Sequence, residues 1–210
     1  SSISVDPELN QMYLPTGNTS PDNYGGHRNG SDYYSSSVVS LDATTGKVLW
    51  HFQTVHHGLW DYDVPSQPTF YEIEKDGTII KALAQTTKMG FVFLLNRENG
   101  EPIFPVEERP VPQGAVEGDY VSATQPFPTK PAPLTSTDFD PEEAYGFTFW
   151  DRGYCKRASS ELRNEGLYTP PSLEGSMHYP SCIGGANWGG PAVDANRKLL
   201  VVNTMNLARP

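Results

Sequence analysis

"SLDATTGKVLW" (residues 40–50) reads as a tight turn that launches a strand and ends it on an indole. Asp42 suits the turn because its side chain can hold the backbone of the residues that follow it. Gly46 suits a left-handed position, and Val48-Leu49-Trp50 favours an extended chain. "LLNRENGEPIF" (94–104) repeats the layout, with Asn96, Gly100 and Phe104 in the matching places. "AVDANRKLLVV" (192–202) begins a third copy without its glycine. An Asp/Asn-Gly hairpin and an aromatic-ended strand, returning after about 50 residues, are what a propeller blade produces. Each blade buries its apolar face only against its neighbours, so the aromatic is expected to dock between blades. A β-sandwich with two similar hairpins is the alternative.

Outward from these turns, short apolar runs rich in Val, Ile, Tyr, Phe, Trp and Thr give strand candidates at 11–16, 36–42, 47–54, 68–73, 78–86, 91–96 and 198–204. The chain carries 19 Gly and 19 Pro, which punctuate these runs throughout. Helix signals are scarce. "ASSELRNEG" (158–166) could make two turns with Ser159 or Ser160 as cap, and "DPEEAYG" (140–146) one. Proline-rich 105–140 reads as a long irregular surface loop. The class is all-β.

A net charge of −10 makes a nucleic-acid footprint improbable, since that requires a basic face. The acidic excess permits a bound cation. No run approaches the roughly 18–20 apolar residues of a membrane span, and no secretion signal opens the chain. The sequence reads as a segment of a longer protein. Cys155 and Cys182 are either reduced thiols or, in an exported protein, a disulfide. Neither lies in a Cys-x-x-Cys pair, which argues against zinc.

"HHGLWDYDVPSQP" (56–68) gathers reactive side chains that neither a plain loop nor a buried strand needs. Together with its flanks it carries a family resemblance. The hairpin "LDATTGKVLW" resembles the tryptophan-docking motif of eight-bladed quinoprotein alcohol dehydrogenases, enzymes that use pyrroloquinoline quinone (PQQ). "QTVHHGLWDYDVPSQPT" (53–69) and "TTKMGFVFLLNRENGEPIFPVEERPVPQG" (86–114) are similar to the membrane-bound glucose, quinate and shikimate dehydrogenase branch. So are "GDYVSATQPF" (118–127), "EGLYTPPS" (165–172) and "NWGGPAVDANRKLLVVN" (187–203). The likeness runs over nearly the whole chain. It implies a single partial propeller domain over 1–210, three to four of eight blades, from a parent anchored in a membrane through an upstream region.

The resemblance also implies site residues. The general base falls on Asp61, which would take a hydroxyl proton while hydride leaves the carbon. Without the family, Asp61 and Asp63 read simply as turn caps. Lys88, 27 residues on, would hydrogen-bond the reactive carbonyl oxygens of PQQ. Asn203 and Trp188 fall at the cofactor, although Trp188 equally reads as core packing. Asn18 and Ser20 occupy the metal-ligand region, where oxygen donors suit Ca²⁺ or Mg²⁺; the choice between the two residues is open. The remaining metal ligands are expected upstream.

His57, with His56, is a candidate substrate neighbour. "FWDRGYCKRASSELRNEG" (149–166) departs from the glucose-type pattern by adding Arg152, Lys156, Arg157 and Arg163. Arg152 would pair with a substrate carboxylate, as in quinate or shikimate, or else belong to a solvated face. The implied activity is PQQ-dependent oxidation of a sugar or cyclic polyol, with electrons passed to a membrane quinone (ubiquinone) on the periplasmic side. The alternative is a non-catalytic propeller scaffold. A hydrolase using Asp61 and Asp63 is disfavoured, because these acids sit too close to flank a glycosidic bond.

Overall fold

The structure is a computed structural model that describes residues 2–28, 30 and 32–210. The strands of the described residues form four sheets, and the first two follow one another along the chain as blades. The first is a complete antiparallel meander of four strands, β1 (Ser4–Asp6), β2 (Gln11–Pro15), β3 (Ser37–Asp42) and β4 (Val48–Gln53), in sequence order. The second joins β5 (Thr69–Lys75), β6 (Thr78–Thr86) and β7 (Val92–Asn96), again antiparallel and sequential, and an isolated bridge from Leu95 to Pro102 extends it. Later come β8 (Val106–Pro110) with β9 (Thr124–Pro128), and β10 (Pro191–Asp194) with β11 (Leu199–Val202). One α-helix, α1 (Phe149–Ser160), and one 3₁₀ turn (Pro141–Glu143) interrupt this β pattern.

The three sequence repeats form the same turn. Asp42 Oδ1 accepts from the backbone N–H of Thr44 and Thr45, Asn96 Oδ1 from that of Glu98, and Asp194 Oδ1 from those of Asn196 and Arg197. The residue four positions on is left-handed each time, Gly46 at φ +71°, Gly100 at +75° and Lys198 at +54°. The third copy therefore keeps the conformation without its glycine, at a steric cost. Trp50, within β4, lies against Gly100 of the next blade so closely that a Cβ there would meet its ring at 2.4 Å. This is the inter-blade docking expected from the repeat. Polar ties join the same two blades: Arg97 pairs with buried Asp6 at 2.9 Å, and Tyr13 Oη donates to the Arg97 carbonyl at 3.1 Å. The apolar core runs across both, from Tyr13, Val38 and Leu59 to Leu83, Phe91, Phe93 and Leu95.

Three expectations fail locally. The 105–140 stretch is not wholly irregular, because β8 and β9 pair within it, with Glu108 opposite Pro126. In a two-stranded ribbon every strand has an unpaired edge, so proline can place its missing donor there, and its presence does not exclude a strand. The helix begins at Phe149, nine residues before the expected 158; Thr148 caps it in a reciprocal box with Asp151. Residues 161–166 lie beyond its end. β1 carries no periodic signal in three residues and was not anticipated. Cys155 and Cys182 are free thiols, both half-buried.

Candidate active site

The segment after β4 alternates. Trp60 and Tyr62 are buried anchors: the Trp60 indole donates to the Thr169 carbonyl at 2.7 Å, and the Tyr62 hydroxyl to the Pro180 carbonyl. Tyr168 packs edge-on against both rings. Asp61 and Asp63, between and beside these anchors, converge on one cation. Lys88 projects from the tight turn that follows β6, where the Gly90 N–H donates to the Thr87 carbonyl at 3.0 Å. Its Nζ lies 3.0 Å from Asp61 Oδ2, 2.7 Å from Asp63 Oδ1 and 2.9 Å from the Asp61 carbonyl oxygen. An ammonium has three protons to give, and this one meets three oxygens.

Electrostatics separate the members of this triad. Burial works against the Lys88 ammonium, but Asp63 and then Asp61 outweigh it and hold its pKa above the usual lysine range. Burial raises the Asp61 carboxyl above its ordinary value, against the opposing pull of Lys88. Asp61 is thus a carboxylate with enhanced proton affinity, its side chain 34% exposed, while Lys88 is 6% exposed. A strained backbone presents it, at φ +54°. It lines an open, polar cavity of about 300 Å³ together with Trp60, Thr169, His178, Cys182 and Arg209. His178 is held neutral there, its pKa pushed down to about 4 by burial and by the charges of Arg209 and Lys88.

The other expected residues fall into separate groups. Asn203 lies against Gly189, where a Cβ would stand 3.0 Å from Asn203 Oδ1, and the neighbouring Trp188 is 70% exposed. Trp188 is therefore not core packing. This loop is laid on the lysine turn, since a Cβ at Gly185 would come within 2.2 Å of the Lys88 carbonyl oxygen. Asn18 faces Gly58, in the irregular segment that leads to Asp61, and its Oδ1 is buried without a hydrogen-bond partner. Ser20 is exposed. An orphaned amide oxygen and an ordinary hydroxyl fit a hard cation. Among the described residues no three of His, Cys, Asp and Glu gather as a metal cluster. An exposed indole beside an amide, with an ammonium on the adjoining turn, likewise fits a flat, oxygen-rich cofactor.

Two expectations are corrected. His57 is no substrate neighbour: its Nδ1 lies 2.9 Å from Asp32 Oδ2 and its Nε2 2.9 Å from Asp119 Oδ1, so neither nitrogen is left for a ligand. Its ring stacks on Tyr120 at 3.8 Å. Arg152 does not line the Asp61 cavity. It sits on the exposed helix α1 and donates to the Glu142 carbonyl at 3.3 Å, while Lys156 pairs with the Glu142 carboxylate. Arg163 binds the carbonyls of Gln113 and Gly114. These charges serve the surface. Sequence reasoning missed His178, Arg209 and Asp32, which lie in no quoted stretch, and gave no role to Asp119 within 118–127; folding alone brings them to their partners.

Sequential antiparallel sheets joined by an inter-blade indole, with a lysine-bridged pair of aspartates beside an open cavity, define the class as a β-propeller segment. The chain belongs to the family "PQQ: Glucose/ethanol/alcohol dehydrogenase, beta-propeller domain", whose model matches residues 1–209. It is 43% identical over 211 residues to quinoprotein glucose dehydrogenase of Escherichia coli (strain K12), a match covering 97% of this chain and 26% of that protein. It is 37% identical over 207 residues to quinate/shikimate dehydrogenase (quinone) of Acinetobacter baylyi, covering 98% and 26%. The chain thus spans about a quarter of the length of these relatives. Among solved structures, a quinohemoprotein alcohol dehydrogenase from Pseudomonas putida HK5 matches in fold, with a TM-score of 0.60 at 22% identity, over 99% of this chain and 25% of that one.

Proposed function

We propose that this segment carries the acid–base half of the active site of a PQQ-dependent dehydrogenase that oxidises a hydroxyl of a sugar or cyclic polyol. The observation that carries the reading is the Lys88 ammonium bound to both Asp61 and Asp63 beside the cavity that Asp61 lines. Asp61 takes the hydroxyl proton, and its raised proton affinity moves it toward the acidity a general base needs at neutral pH. Bound PQQ supplies the acceptor for the hydride that leaves the same carbon. Lys88 offers positive charge where negative charge develops on a carbonyl oxygen, and its two carboxylate partners keep it protonated for that purpose.

Trp188 and Asn203 would hold the cofactor's flat face and edge. Asn18, with Ser20, would contribute oxygen donors to a Ca²⁺ or Mg²⁺ ion, which polarises the carbonyl as a Lewis acid. The names of the relatives, glucose and quinate/shikimate dehydrogenases, support a sugar or polyol as substrate. By the resemblance of 53–69 and 86–114 to the membrane-bound branch, the parent protein would be membrane-anchored, face the periplasm and pass electrons to ubiquinone. The test is the full-length protein loaded with PQQ and Ca²⁺ or Mg²⁺ and assayed with a dye acceptor against glucose, quinate and shikimate. Asp61→Asn is expected to abolish turnover and leave cofactor absorbance intact. Retained turnover would remove Asp61 from the mechanism.

A further inference from the structure

The cavity beside Asp61 has a second polar wall that the mechanism above does not use. His178 and Arg209 are locked together by an antiparallel bridge, the His178 N–H donating to the Arg209 carbonyl at 2.8 Å and the Arg209 N–H to the His178 carbonyl at 3.0 Å. The His178 ring is wedged against Tyr62, with centroids 4.9 Å apart, so the anchor that precedes Asp63 also fixes this imidazole. Its Nε2 is buried and has no hydrogen-bond partner, and no hydrogen bond to either ring nitrogen is seen among the described residues. Arg209 has no acidic partner within ion-pair distance among those residues; its Nη1 donates only to Cys182 Sγ, at 3.1 Å. Both side chains line the same cavity as the base. His178 Nε2 is enclosed, whereas Nδ1 is not among the enclosed unpartnered atoms, and the residue that carries both lines the cavity.

We infer that His178, oriented by its bridge to Arg209, is a specificity-determining residue that hydrogen-bonds a second hydroxyl next to the one Asp61 deprotonates, so that the site selects vicinal polyols over monohydric alcohols. This rests on the proposed function and deepens it. A neutral imidazole both accepts and donates a hydrogen bond, which matches a hydroxyl better than it matches a charged group. The Arg209 guanidinium supplies donors to the same stretch of the substrate and has none of its own charge tied up. A monohydric alcohol offers this imidazole no second hydroxyl, and that missing bond is what discriminates.

The test uses the full-length holoprotein with cyclohexane-1,2-diol and cyclohexanol as a matched pair. The wild type is expected to favour the diol by about 10²-fold or more in kcat/KM. His178→Leu should erase most of that preference by lowering the diol value and sparing cyclohexanol, while His178→Gln, which keeps a donor and an acceptor, should retain part of it. Equal preference in the wild type, or an undiminished one in both variants, overturns the inference. Calorimetric binding of the diol separates the two levels of the argument. Binding that His178→Leu weakens about tenfold or more, without turnover of either alcohol, sinks the dehydrogenase reading and keeps the subsite. Diol binding indifferent to His178 sinks the subsite whatever the turnover.

Discussion

Four residues apart on one segment, His57 and Asp61 belong to two triads of the same make, a cation or imidazole between two aspartates, that behave in opposite ways. Asp119, opposite His57, is 1% exposed and also accepts from the N–H groups of Gly25 (2.7 Å) and Tyr120 (2.8 Å). Burial raises its pKa, but the bonds from His57, Gly25 and Tyr120 outweigh burial and hold it below the ordinary carboxylate range. Among the described residues the Asp61 side chain receives a donor from Lys88 alone, and there burial wins. The number of donors a carboxylate collects therefore decides whether it becomes a clamp or a base. The His57 triad joins Asp32 and the Asp119–Tyr120 turn to the irregular segment that bears Asp61. The Lys88 triad leaves one carboxylate facing a cavity.

The comparison breaks most visibly at the two acids themselves. Asp61→Asn should cut turnover of the loaded full-length enzyme by about 10²–10⁴-fold and leave the unfolding midpoint nearly unchanged, because the charge removed was disfavoured by burial. A large loss of stability would show Asp61 to be a clamp as well. Conversely, His57→Leu strands two largely buried carboxylates and should destabilise by about 3–5 kcal/mol in denaturant unfolding. A loss under about 1 kcal/mol would mean that Asp32 and Asp119 find other partners, Arg28 first among them.

Smaller effects sharpen it. Lys88 lowers the proton affinity of Asp61, so Lys88→Gln should raise the pKa of the base and move the acid limb of the kcat/KM profile to higher pH. A limb that stays in place would assign it to another group. Asp119, whose folded pKa is depressed, contributes stability that is full above its unfolded value of about 4 and is lost as pH falls through the lower folded one. Asp119→Asn should remove that portion of acid unfolding and flatten the slope of stability below pH 4. Asp61 has the opposite sign: its folded pKa is raised, so its contribution grows as pH falls. In unfolding midpoints relative to the wild type, Asp119→Asn should be less stable near neutral pH and Asp61→Asn about equal or slightly more stable, and both differences should shrink as pH falls below the folded pKa values.

How much of this was legible depends on the range of the signal. The hairpin turns could be read because Asp42, Asn96 and Asp194 act on their own backbone within three residues. The helix start was missed because the capping box of Thr148 and Asp151 lies ahead of a stretch whose aromatics, Phe149, Trp150 and Tyr154, remain exposed and give no amphipathic pattern. Asp61 and Lys88 are singled out by resemblance; without it Asp61 reads as a turn cap. Asp119 and His178 had no local mark, since their partners lie 62 residues and 31 residues distant in the chain, at His57 and Arg209.

The amino-acid order on its own settled the β class, the repeated Asp/Asn turn and the indole that reaches the next blade, because each depends on contacts a few residues long or on a repeat that copies them. Folding alone decided which aspartate holds its proton more tightly and which histidine is sealed off. Those outcomes follow from how many donors and how much water each carboxylate or imidazole meets, and only the packed chain fixes that count.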